Sequence, residues 1–561
     1  MHGPKCAPKC IALMLALGAA SPAYAIVSTN LELDIGQVTG ASTFYANGFT
    51  GANTIILNVD AGFVWDGHTT LTNATTELAS PSVTGQFDAH ATWVGSMLAG
   101  QGSQNYDRGI AYGSTLWSGA IATQWLNEGA GNYSLAWENT FNSFVAPYVD
   151  ALITGVNGQF ADVVNDSFGL AGGQDGNLNY SMEMDWASAT TGKLIVFAAS
   201  NGGPGADSVN APASGENEMV VGGVQSDTST PAYGTLDNLS GRSPSDFFIP
   251  ADVNGYTGTE LSGVRALVDI TAPDSNFDLA HYGGPTGGNQ FGGQTDTLTN
   301  AFNADLAGTS FSAPIVTAGA ALVVQAGKTL FPTDPGAIDA RVIKAVLMNS
   351  ATKPVGWNNG QSNVNGVITT TQSVDYAYGA GILNLNTAWA QYTAGTTDVA
   401  PISDGGEASV QPNGWVFGNI THITGSTATE DYLINSPLSA LTPFNVTLDW
   451  FSDDKNNVTN QNPTFGSFDN LDLQVWLTNG STPTTLVAQS ISPYNSMQEL
   501  DFNLPSDGTY LIRVTESNYL WNFVGDTNTE YGLAWSVPEP ASAGILLFGG
   551  FGALLRRRNR R

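Results

Sequence analysis

The sequence predicts an α/β domain with a parallel sheet and helices on both faces, followed by an antiparallel β-sandwich. From about Ile26 to Val399, apolar strands alternate with helical stretches, which is the pattern of βαβ units. The run Leu194 to Ala199 is continuously apolar, as expected for a strand covered on both faces. Beyond about Pro401 the pattern changes to period two, which is typical of half-buried antiparallel strands.

Polar residues stand where two of the predicted parallel strands end. The run Thr54 to Val59 ends at Asp60, and the run Leu194 to Ala199 is followed by Ser200 and Asn201. Ligands of open parallel sheets bind at the carboxyl edge of the strands. We therefore expect the functional site at this edge.

The predicted sandwich depends on four alternating apolar runs separated by Gly, Pro, Asn and Asp. These runs contain Phe444, Val446, Leu448 and Trp450; Leu471, Leu473, Val475 and Leu477; Leu500, Phe502 and Leu504; and Tyr510, Ile512 and Val514. The polar, glycine-containing stretch Gly395 to Gly406 is the predicted linker between the two domains.

The composition indicates an extracellular protein and excludes nucleic acid as a partner. Only 12% of the 561 residues are charged, against about 25% in average proteins, and the chain has 65 glycines. Its formal net charge of -31 would be repelled by the phosphates of nucleic acid or of an anionic membrane surface.

The N-terminus has the features of a signal peptide. Lys5 and Lys9 precede the apolar run Ile11 to Ala20, and Ala23-Tyr24-Ala25 is a small-x-small cleavage site, so the mature chain is expected to begin at Ile26. Both cysteines of the chain lie in this leader. The mature protein therefore has no disulfide or thiolate chemistry, and a side-chain nucleophile would be Ser or Thr.

The C-terminus combines three elements in order. Val537-Pro538-Glu539-Pro540 leads into the mostly apolar stretch Ala541 to Leu555, which is short for a membrane span, and an arginine-rich end follows. This tail resembles the PEP-CTERM sorting signal of Gram-negative bacteria. The resemblance implies an exosortase-type processing enzyme as a partner and transient membrane contact through the tail. It also implies that the protein is exported and is located outside the cell or on the cell surface.

These features divide the chain into four predicted parts. They are a signal peptide over residues 1–25, an α/β domain over 26–399, the sandwich over 400–536 and the sorting tail over 537–561.

Ser310 is the candidate nucleophile. It lies in the stretch AGTSFSAP, and the sequence from Phe311 to Ala326 is apolar almost all round, which predicts a buried helix. A serine at the start of that helix would lie beside backbone N–H groups without intrahelical partners. The stretch alone also allows a plainer interpretation, in which Ser310 is only the N-cap of the helix.

A serine needs a base to accept its proton and a carboxylate to stabilise that base. His90 heads a stretch of small residues suited to a helix packed closely on the sheet, and Asp60 lies at the exit of a buried strand. Each is ordinary when taken alone. Together, Asp60, His90 and Ser310 follow the chain order Asp, His, Ser.

With these blocks in place, the chain resembles a subtilisin-like serine peptidase from about Asn53 to Ala388. The aspartate block is IILNVDAGFVWDGH, the histidine block is HATWVGSMLAG, and the most specific block is GTSFSAPIVTAGAALV around the serine. VNDSFG resembles the substrate-binding edge strand, and FAASNG resembles the oxyanion-hole block, with Ser200 where glycine is usual.

The resemblance implies a secreted serine endopeptidase acting on protein or peptide substrates through an acyl-enzyme intermediate. Ser310 would be the nucleophile, His90 the base, Asp60 its carboxylate partner and Asn201 an oxyanion donor. Ser167, Phe168 and Gly169 would pair with an extended substrate through their main chain. Many relatives carry a propeptide, and the sequence between Ile26 and Asp60 is expected to be too short for one.

The alternative function is a catalytically silent surface or matrix binding protein with the same scaffold. No cofactor is expected to be required. Calcium is left open for Asp453, Asp454, Asp469 and Asp472, although their spacing matches no known calcium loop. His68 is expected to be structural, and His281 and His422 are expected on the surface. The Gly-, Asn- and Asp-rich insertion, about Phe277 to Leu306, is expected to be a solvated loop rather than a cover of the cleft.

Overall fold

A computed structural model describes residues 34–537, except 104–106, 127–135, 171, 227–232, 252–256, 285–286, 289–297, 396–406, 424 and 457–462. The predicted signal peptide, the sorting tail from residue 538 onward and nearly all of the predicted linker lie outside the described residues. We call residues 34–395 the N-terminal unit and residues 407–537 the C-terminal unit.

The described residues form eight α-helices, with one π-helical turn at Val149–Thr154 and one 3₁₀ turn at Pro335–Ile338. The α-helices are α1 (Ile35–Val38), α2 (Ala41–Ala46), α3 (Ala89–Ala99), α4 (Phe141–Tyr148), α5 (Asn179–Thr191), α6 (Thr309–Leu330), α7 (Ala340–Asn349) and α8 (Leu385–Thr393).

The strands of the N-terminal unit are β1 (Ile55–Asp60), β2 (Ala74–Leu78), β3 (Thr115–Ala120), β4 (Gln124–Trp125), β5 (Trp137–Glu138), β6 (Val163–Asp166), β7 (Leu194–Ala198), β8 (Met219–Ser226), β9 (Tyr233–Leu236), β10 (Ser245–Ala251), β11 (Thr257–Arg265), β12 (Ile270–Pro273), β13 (Phe277–Ala280), β14 (Phe302–Leu306), β15 (Ser362–Val364) and β16 (Val367–Thr370). Those of the C-terminal unit are β17 (Glu407–Val410), β18 (Gly414–Thr421), β19 (Ala428–Ile434), β20 (Pro443–Trp450), β21 (Asp453–Lys455), β22 (Thr464–Asn479), β23 (Thr482–Ser490), β24 (Met497–Asn503), β25 (Thr509–Asn522) and β26 (Asn528–Ser536).

The N-terminal unit is built on a sheet with strand order β12-β8-β7-β6-β1-β3-β2, in which every one of these neighbours is parallel. Strand β9 pairs antiparallel with β8 at one corner. Helices α3 and α6 share a core with one face of the sheet, and α4 and α5 share another core with the opposite face. The predicted parallel α/β arrangement is confirmed.

Two sequence predictions about single elements are also confirmed. The strand expected to end at Asp60 is β1, and the continuously apolar strand expected at Leu194 is β7, in which every residue is buried. Helix α6 is long and apolar enough to span a membrane, yet 94% of its most apolar stretch is buried within the fold. It is therefore the central core helix of the N-terminal unit.

The C-terminal unit contains two sheets of largely antiparallel strands. One has the order β18-β26-β20-β24, and the other includes β23, β22, β25, β19 and β17. All four predicted alternating runs contribute to one apolar core, because residues such as Val446, Leu473, Leu500 and Ile512 are fully buried in the same cluster.

The two units are joined by more than packing. Strand β16, which precedes the predicted linker, pairs in parallel with β23 and so extends a sheet of the C-terminal unit. The hairpin β10–β11 brings Phe247 against Phe468 and Trp521, with ring centroids 5.9 Å away in both cases. The sequence pattern alone assigns both segments to the first domain, because both precede the predicted linker.

Candidate active site

The parallel register gathers the candidate residues at one edge of the sheet. Strands β1, β6 and β7 are adjacent and parallel. Asp60 is the last residue of β1, Ser167 follows β6 directly, and Asn201 follows β7 after two residues. This arrangement agrees with the sequence-based expectation that polar residues at strand ends form one site.

Asp60 and His90 form a buried pair. His90 Nδ1 lies 2.7 Å from Asp60 Oδ2, and the other carboxylate oxygen, Oδ1, accepts a hydrogen bond from the N–H of Ala61 at 2.8 Å. Asp60 is 3% exposed and His90 is 6% exposed. The imidazole is thus held through Nδ1, which leaves Nε2 as the nitrogen available for proton transfer.

Burial and the neighbouring carboxylate act on His90 in opposite directions. Burial lowers the pKa of the imidazole, whereas the charge of Asp60 and its hydrogen bond raise it, and the net shift is upward from the ordinary value. Two aromatic rings, those of Trp93 and Phe311, lie with centroids 6.3 Å from the imidazole. The pair therefore stabilises an imidazolium in a setting largely shielded from water.

Ser310 is the second residue of α6, and the N-cap of that helix is Gly308. The plainer interpretation of Ser310 as the N-cap is therefore wrong. Because Ser310 lies in the first turn, its backbone N–H has no acceptor within the helix and can donate elsewhere.

The hydroxyl of Ser310 has a different partner from the one expected for a triad. Ser310 Oγ donates to the carbonyl oxygen of Ser167 at 3.2 Å, and Ser167 Oγ donates to the carbonyl oxygen of Ser310 at 2.9 Å. His90 Nε2 is buried and has no hydrogen-bond partner among the described residues. The structure brings Asp60 and His90 into contact and shows no hydrogen bond between His90 and Ser310.

Asn201 lies against the turn that leads to Ser310. Its Oδ1 accepts hydrogen bonds from both N–H and Oγ1 of Thr309, each at 3.0 Å. A Cβ placed on Gly308 would lie 3.3 Å from Asn201 Nδ2, and Gly308 has φ 142°, a backbone region that favours glycine. These contacts fix the amide by its oxygen and leave Nδ2 as the donating end.

Ser200 and the edge segment have defined local roles. Ser200 has φ 78°, a backbone region that favours glycine, and its Oγ donates to the carbonyl oxygen of Ser208 at 2.5 Å. The ring of Phe168 packs edge-on against Phe197, with centroids 6.2 Å apart. The candidate substrate-binding residues Ser167 to Gly169 thus run next to both Ser310 and the core.

The remaining sequence-based interpretations have mixed outcomes. His68 is fully buried, with Nδ1 2.8 Å from Thr70 Oγ1 and Nε2 2.9 Å from the carbonyl oxygen of Ala301, as expected for a structural histidine. The expectation for His281 is wrong, because it is fully buried and its Nδ1 lies 3.0 Å from Asn303 Oδ1. His422 is half-buried rather than fully on the surface, and its Nδ1 lies 2.8 Å from Glu516 Oε1.

The insertion at Phe277 to Leu306 is not a solvated loop where it is described. Its ends pair as β13 and β14, and Leu279 and Tyr282 are buried. Gly288 also reaches the histidine side of the site, where its carbonyl oxygen accepts a hydrogen bond from the N–H of Ala89 at 2.8 Å.

Within the described part of the chain, one group of at least three acidic or histidine side chains has metal-ligand spacing. It consists of Asp60, Asp88 and His90, whose candidate ligand atoms lie within 4.8 Å of one another. The carboxylates considered for calcium in the C-terminal unit, Asp453, Asp454, Asp469 and Asp472, do not form such a group. Sequence reasoning overlooked Asp88, although its position two residues before His90 could have marked it as a helix N-cap.

A comparison with protein-family models matches residues 60–381 to the subtilase family. The match covers more than half of the chain, and the chain therefore belongs to the subtilase family of serine peptidases. No curated protein matches the chain.

Proposed function

We propose that this protein is an exported serine endopeptidase whose catalytic residues are Asp60, His90 and Ser310. The observation that carries the proposal is the buried Asp60–His90 hydrogen bond of 2.7 Å, which leaves His90 Nε2 without a partner. That arrangement suits a base waiting for a proton from a serine and a substrate.

The reaction follows from the positions of these groups. Ser310 Oγ bonds to the carbonyl carbon of the scissile peptide while its proton passes to His90 Nε2, and Asp60 stabilises the resulting imidazolium. Asn201 Nδ2 and the Ser310 N–H donate to the oxyanion. Cleavage of the C–N bond takes the proton from His90 to the leaving amine, and water then hydrolyses the acyl-enzyme with His90 again as the base.

Substrate binding also has to release the nucleophile. In the free protein the carbonyl oxygen of Ser167 accepts the hydrogen bond from Ser310 Oγ. An extended peptide that pairs with Ser167 to Gly169 would offer its own N–H to such a carbonyl. The hydroxyl would then turn to His90 Nε2, so productive geometry would form only with substrate present.

The finer features of the sequence-based interpretation belong to the same proposal. The C-terminal unit would be a β-sandwich accessory domain, and the chain would be exported by its N-terminal leader and processed at the C-terminal tail by an exosortase-type enzyme. Intact mass measurement of protein recovered from the medium and the cell surface would test both cleavages. Residues 1–25 and the tail beyond Pro540 should be missing.

The central test is labelling of purified mature protein with a fluorophosphonate. The parent protein should be labelled at Ser310 and should cleave unfolded casein, whereas Ser310→Ala should do neither. Ser312→Ala is the matched control, because Ser312 lies two residues further along the chain and its hydroxyl faces the carbonyl oxygens of Ala272 and Pro273. A folded parent protein that is neither labelled nor active would favour the silent binding protein instead.

A further inference from the structure

Asp88 lies beside the Asp60–His90 pair, and its carboxyl group has no part in the proposed mechanism. It is the N-cap of α3, and its Oδ1 accepts a hydrogen bond from the backbone N–H of His90 at 3.0 Å. The side chain is almost completely buried, and Asp88 is 1% exposed. An aspartate at an N-cap satisfies helix N–H groups that would otherwise lack partners.

The backbone of Asp88 also connects the aspartate block to the histidine block. Its N–H donates to the carbonyl oxygen of Phe63 at 2.8 Å, and the N–H of Phe63 donates to the carbonyl oxygen of Gln86 at 2.9 Å. A Cβ on Gly62 would lie 2.9 Å from the Cβ of Asp88, so only glycine fits there without a shift. The segment after Asp60 is therefore fixed against the residue that begins the helix of His90.

The carboxyl group of Asp88 faces two titratable groups. One of its carboxylate oxygens lies within 4.8 Å of a carboxylate oxygen of Asp60 and of a ring nitrogen of His90. Among the described residues of the insertion, Gly288 lies against this carboxyl group, and a Cβ on Gly288 would lie 2.2 Å from Asp88 Oδ1. His90 is thus hydrogen-bonded to two carboxyl groups, to that of Asp60 through its ring and to that of Asp88 through its backbone.

We propose that Asp88 is a positioning residue for His90, which fixes the imidazole through the helix N-cap and adds a second negative charge beside it when ionised. This inference rests on the proposed peptidase function. The contact of Asp88 with His90 is the N-cap hydrogen bond to the backbone, so Asp88 acts through His90.

The charge part of the proposal has a pH signature. Burial raises the pKa of Asp88 to about 8, and the charge of Asp60 adds to the rise. Asp88 is therefore neutral below this pH and anionic above it. An anion favours the imidazolium that forms as Ser310 attacks, so kcat/KM should rise a second time near pH 8, above the rise that reports His90 itself.

Asp88→Asn and Asp88→Ala separate the two roles. Asparagine is also a good N-cap, so Asp88→Asn should keep the rise due to His90 and lose the second rise near pH 8. Asp88→Ala removes the N-cap as well, and kcat should fall by on the order of tenfold to a hundredfold at every pH because the imidazole loses its fixed position. Asp339→Ala is the matched control, since Asp339 is the N-cap of α7 and accepts from the N–H of Arg341 at 3.0 Å. It should lower the melting temperature without changing the pH profile.

Titration of the histidine in Ser310→Ala makes the inference independent of turnover. In that protein, labelled with ¹⁵N-histidine, the His90 signal should show a second change near pH 8, and adding Asp88→Asn should abolish it. Persistence of the second rise or second change in Asp88→Asn, or an Asp88→Ala protein that loses only thermal stability, would overturn the proposal. An unlabelled, inactive parent would instead remove the peptidase function and leave the titration result standing.

Discussion

At the scale of single residues, the turn before Ser310 is constrained by the Asn201 amide on one side and by Gly308 on the other. Asn201 accepts from Thr309 through Oδ1, so its Nδ2 is oriented by a contact that does not itself take part in catalysis. Gly308 lies so close to this amide that a side chain at this position would press against Asn201.

Replacement of Asn201 should reduce turnover with little effect on substrate binding. Asn201→Ala removes the proposed oxyanion donor, and the expected loss in kcat is about 10²- to 10³-fold, the value known for such a donor in this family. KM should change little, because the oxyanion exists only in the transition state. Steady-state kinetics on a chromogenic peptide would check this, and Thr309→Val, which removes one contact to Asn201 Oδ1 and keeps the donor, should retain most of the activity. An Asn201→Ala protein with parental kcat would exclude this role.

Gly308→Ala should disturb the same donor from the opposite side. The new Cβ would lie 3.3 Å from Asn201 Nδ2, and alanine would be strained at φ 142°. We expect kcat to fall by about tenfold or more, since small displacements at a reacting centre are costly. Gly205→Ala is a suitable control in stability and activity assays, because a Cβ there meets nothing within 4 Å. Equal kcat in the two variants would show that the approach of Gly308 to Asn201 is unimportant.

The residue types of the site could be predicted from the sequence, but the partner of Ser310 Oγ could not. Chain order and local motifs indicate Asp60, His90 and Ser310, because the chemistry demands these residue types. The hydrogen bond to the carbonyl oxygen of Ser167 depends on a single side-chain rotation, which no sequence pattern determines. The burial of His281 escaped prediction for a related reason, since it depends on the distant pairing of β13 with β14.

At the scale of elements, the periodicity of apolar residues predicts the strands and the core helix. It does not predict which elements of one unit pair with the other unit. Strand β7 and helix α6 are apolar along their whole length and so leave little ambiguity. Strands β15 and β16 are short and mostly exposed or half-buried, so nothing local reveals that β16 pairs with β23, more than a hundred residues later. The hairpin β10–β11 is a second such element, because its aromatic face has its partners in β22 and β25.

Phe247 should be important for the contact of this hairpin with the C-terminal unit. Its ring is fully buried, with Tyr494, Phe468 and Trp521 around it. Phe247→Ala should lower the free energy of unfolding by about 3–5 kcal/mol, as for other large-to-small changes in a core. Urea unfolding in the Ser310→Ala background, which prevents self-digestion, would measure the change.

Phe248→Ala is the control, because the half-buried ring of Phe248 only stacks on Phe465. Phe248→Ala should lower the free energy of unfolding by about 1 kcal/mol or less, since the truncation of a partly exposed side chain loses less transfer free energy. Similar losses in the two variants would argue against a buried docking role for Phe247.

At the scale of the whole molecule, the two units share buried charges. Lys344 of α7 is almost fully buried, and its Nζ lies 3.4 Å from Asp269 Oδ1 and 3.3 Å from Asp449 Oδ2. Lys353 likewise pairs with Glu499 across the boundary. Asp269 belongs to the N-terminal unit and Asp449 to the C-terminal unit, so one ammonium group compensates a carboxylate from each.

Lys344→Met should therefore destabilise both units together. Removing the ammonium leaves two carboxylates buried without their counter-charge, which costs on the order of 3–5 kcal/mol. Denaturant unfolding followed by tryptophan fluorescence and by circular dichroism should show one common transition that shifts to lower denaturant. Separate transitions, with only one of them shifted, would show that the units fold independently.

The many buried carboxyl groups predict that the folded protein is more stable at mildly acidic than at mildly alkaline pH. Asp274 is fully buried, and burial together with the nearby charge of Asp237 raises its pKa to about 8. Asp88 has a pKa raised to about 8 for the same reason. In the unfolded chain these groups ionise near pH 4. Between about pH 5 and pH 8 the folded state therefore binds more protons than the unfolded state, and stability must fall as pH rises.

Melting temperatures of Ser310→Ala measured from pH 5 to pH 8 should decrease, and Asp274→Asn should flatten that dependence. Asparagine keeps the shape of the neutral carboxyl group and cannot ionise, so the double variant should gain stability relative to Ser310→Ala as the pH rises. The Ser310→Ala protein with Asp274 intact is the reference for this comparison. Melting temperatures that rise steadily from pH 5 to pH 8 would mean that these carboxyl groups are ionised in the folded protein, with a bound cation or a rearranged partner compensating their charge.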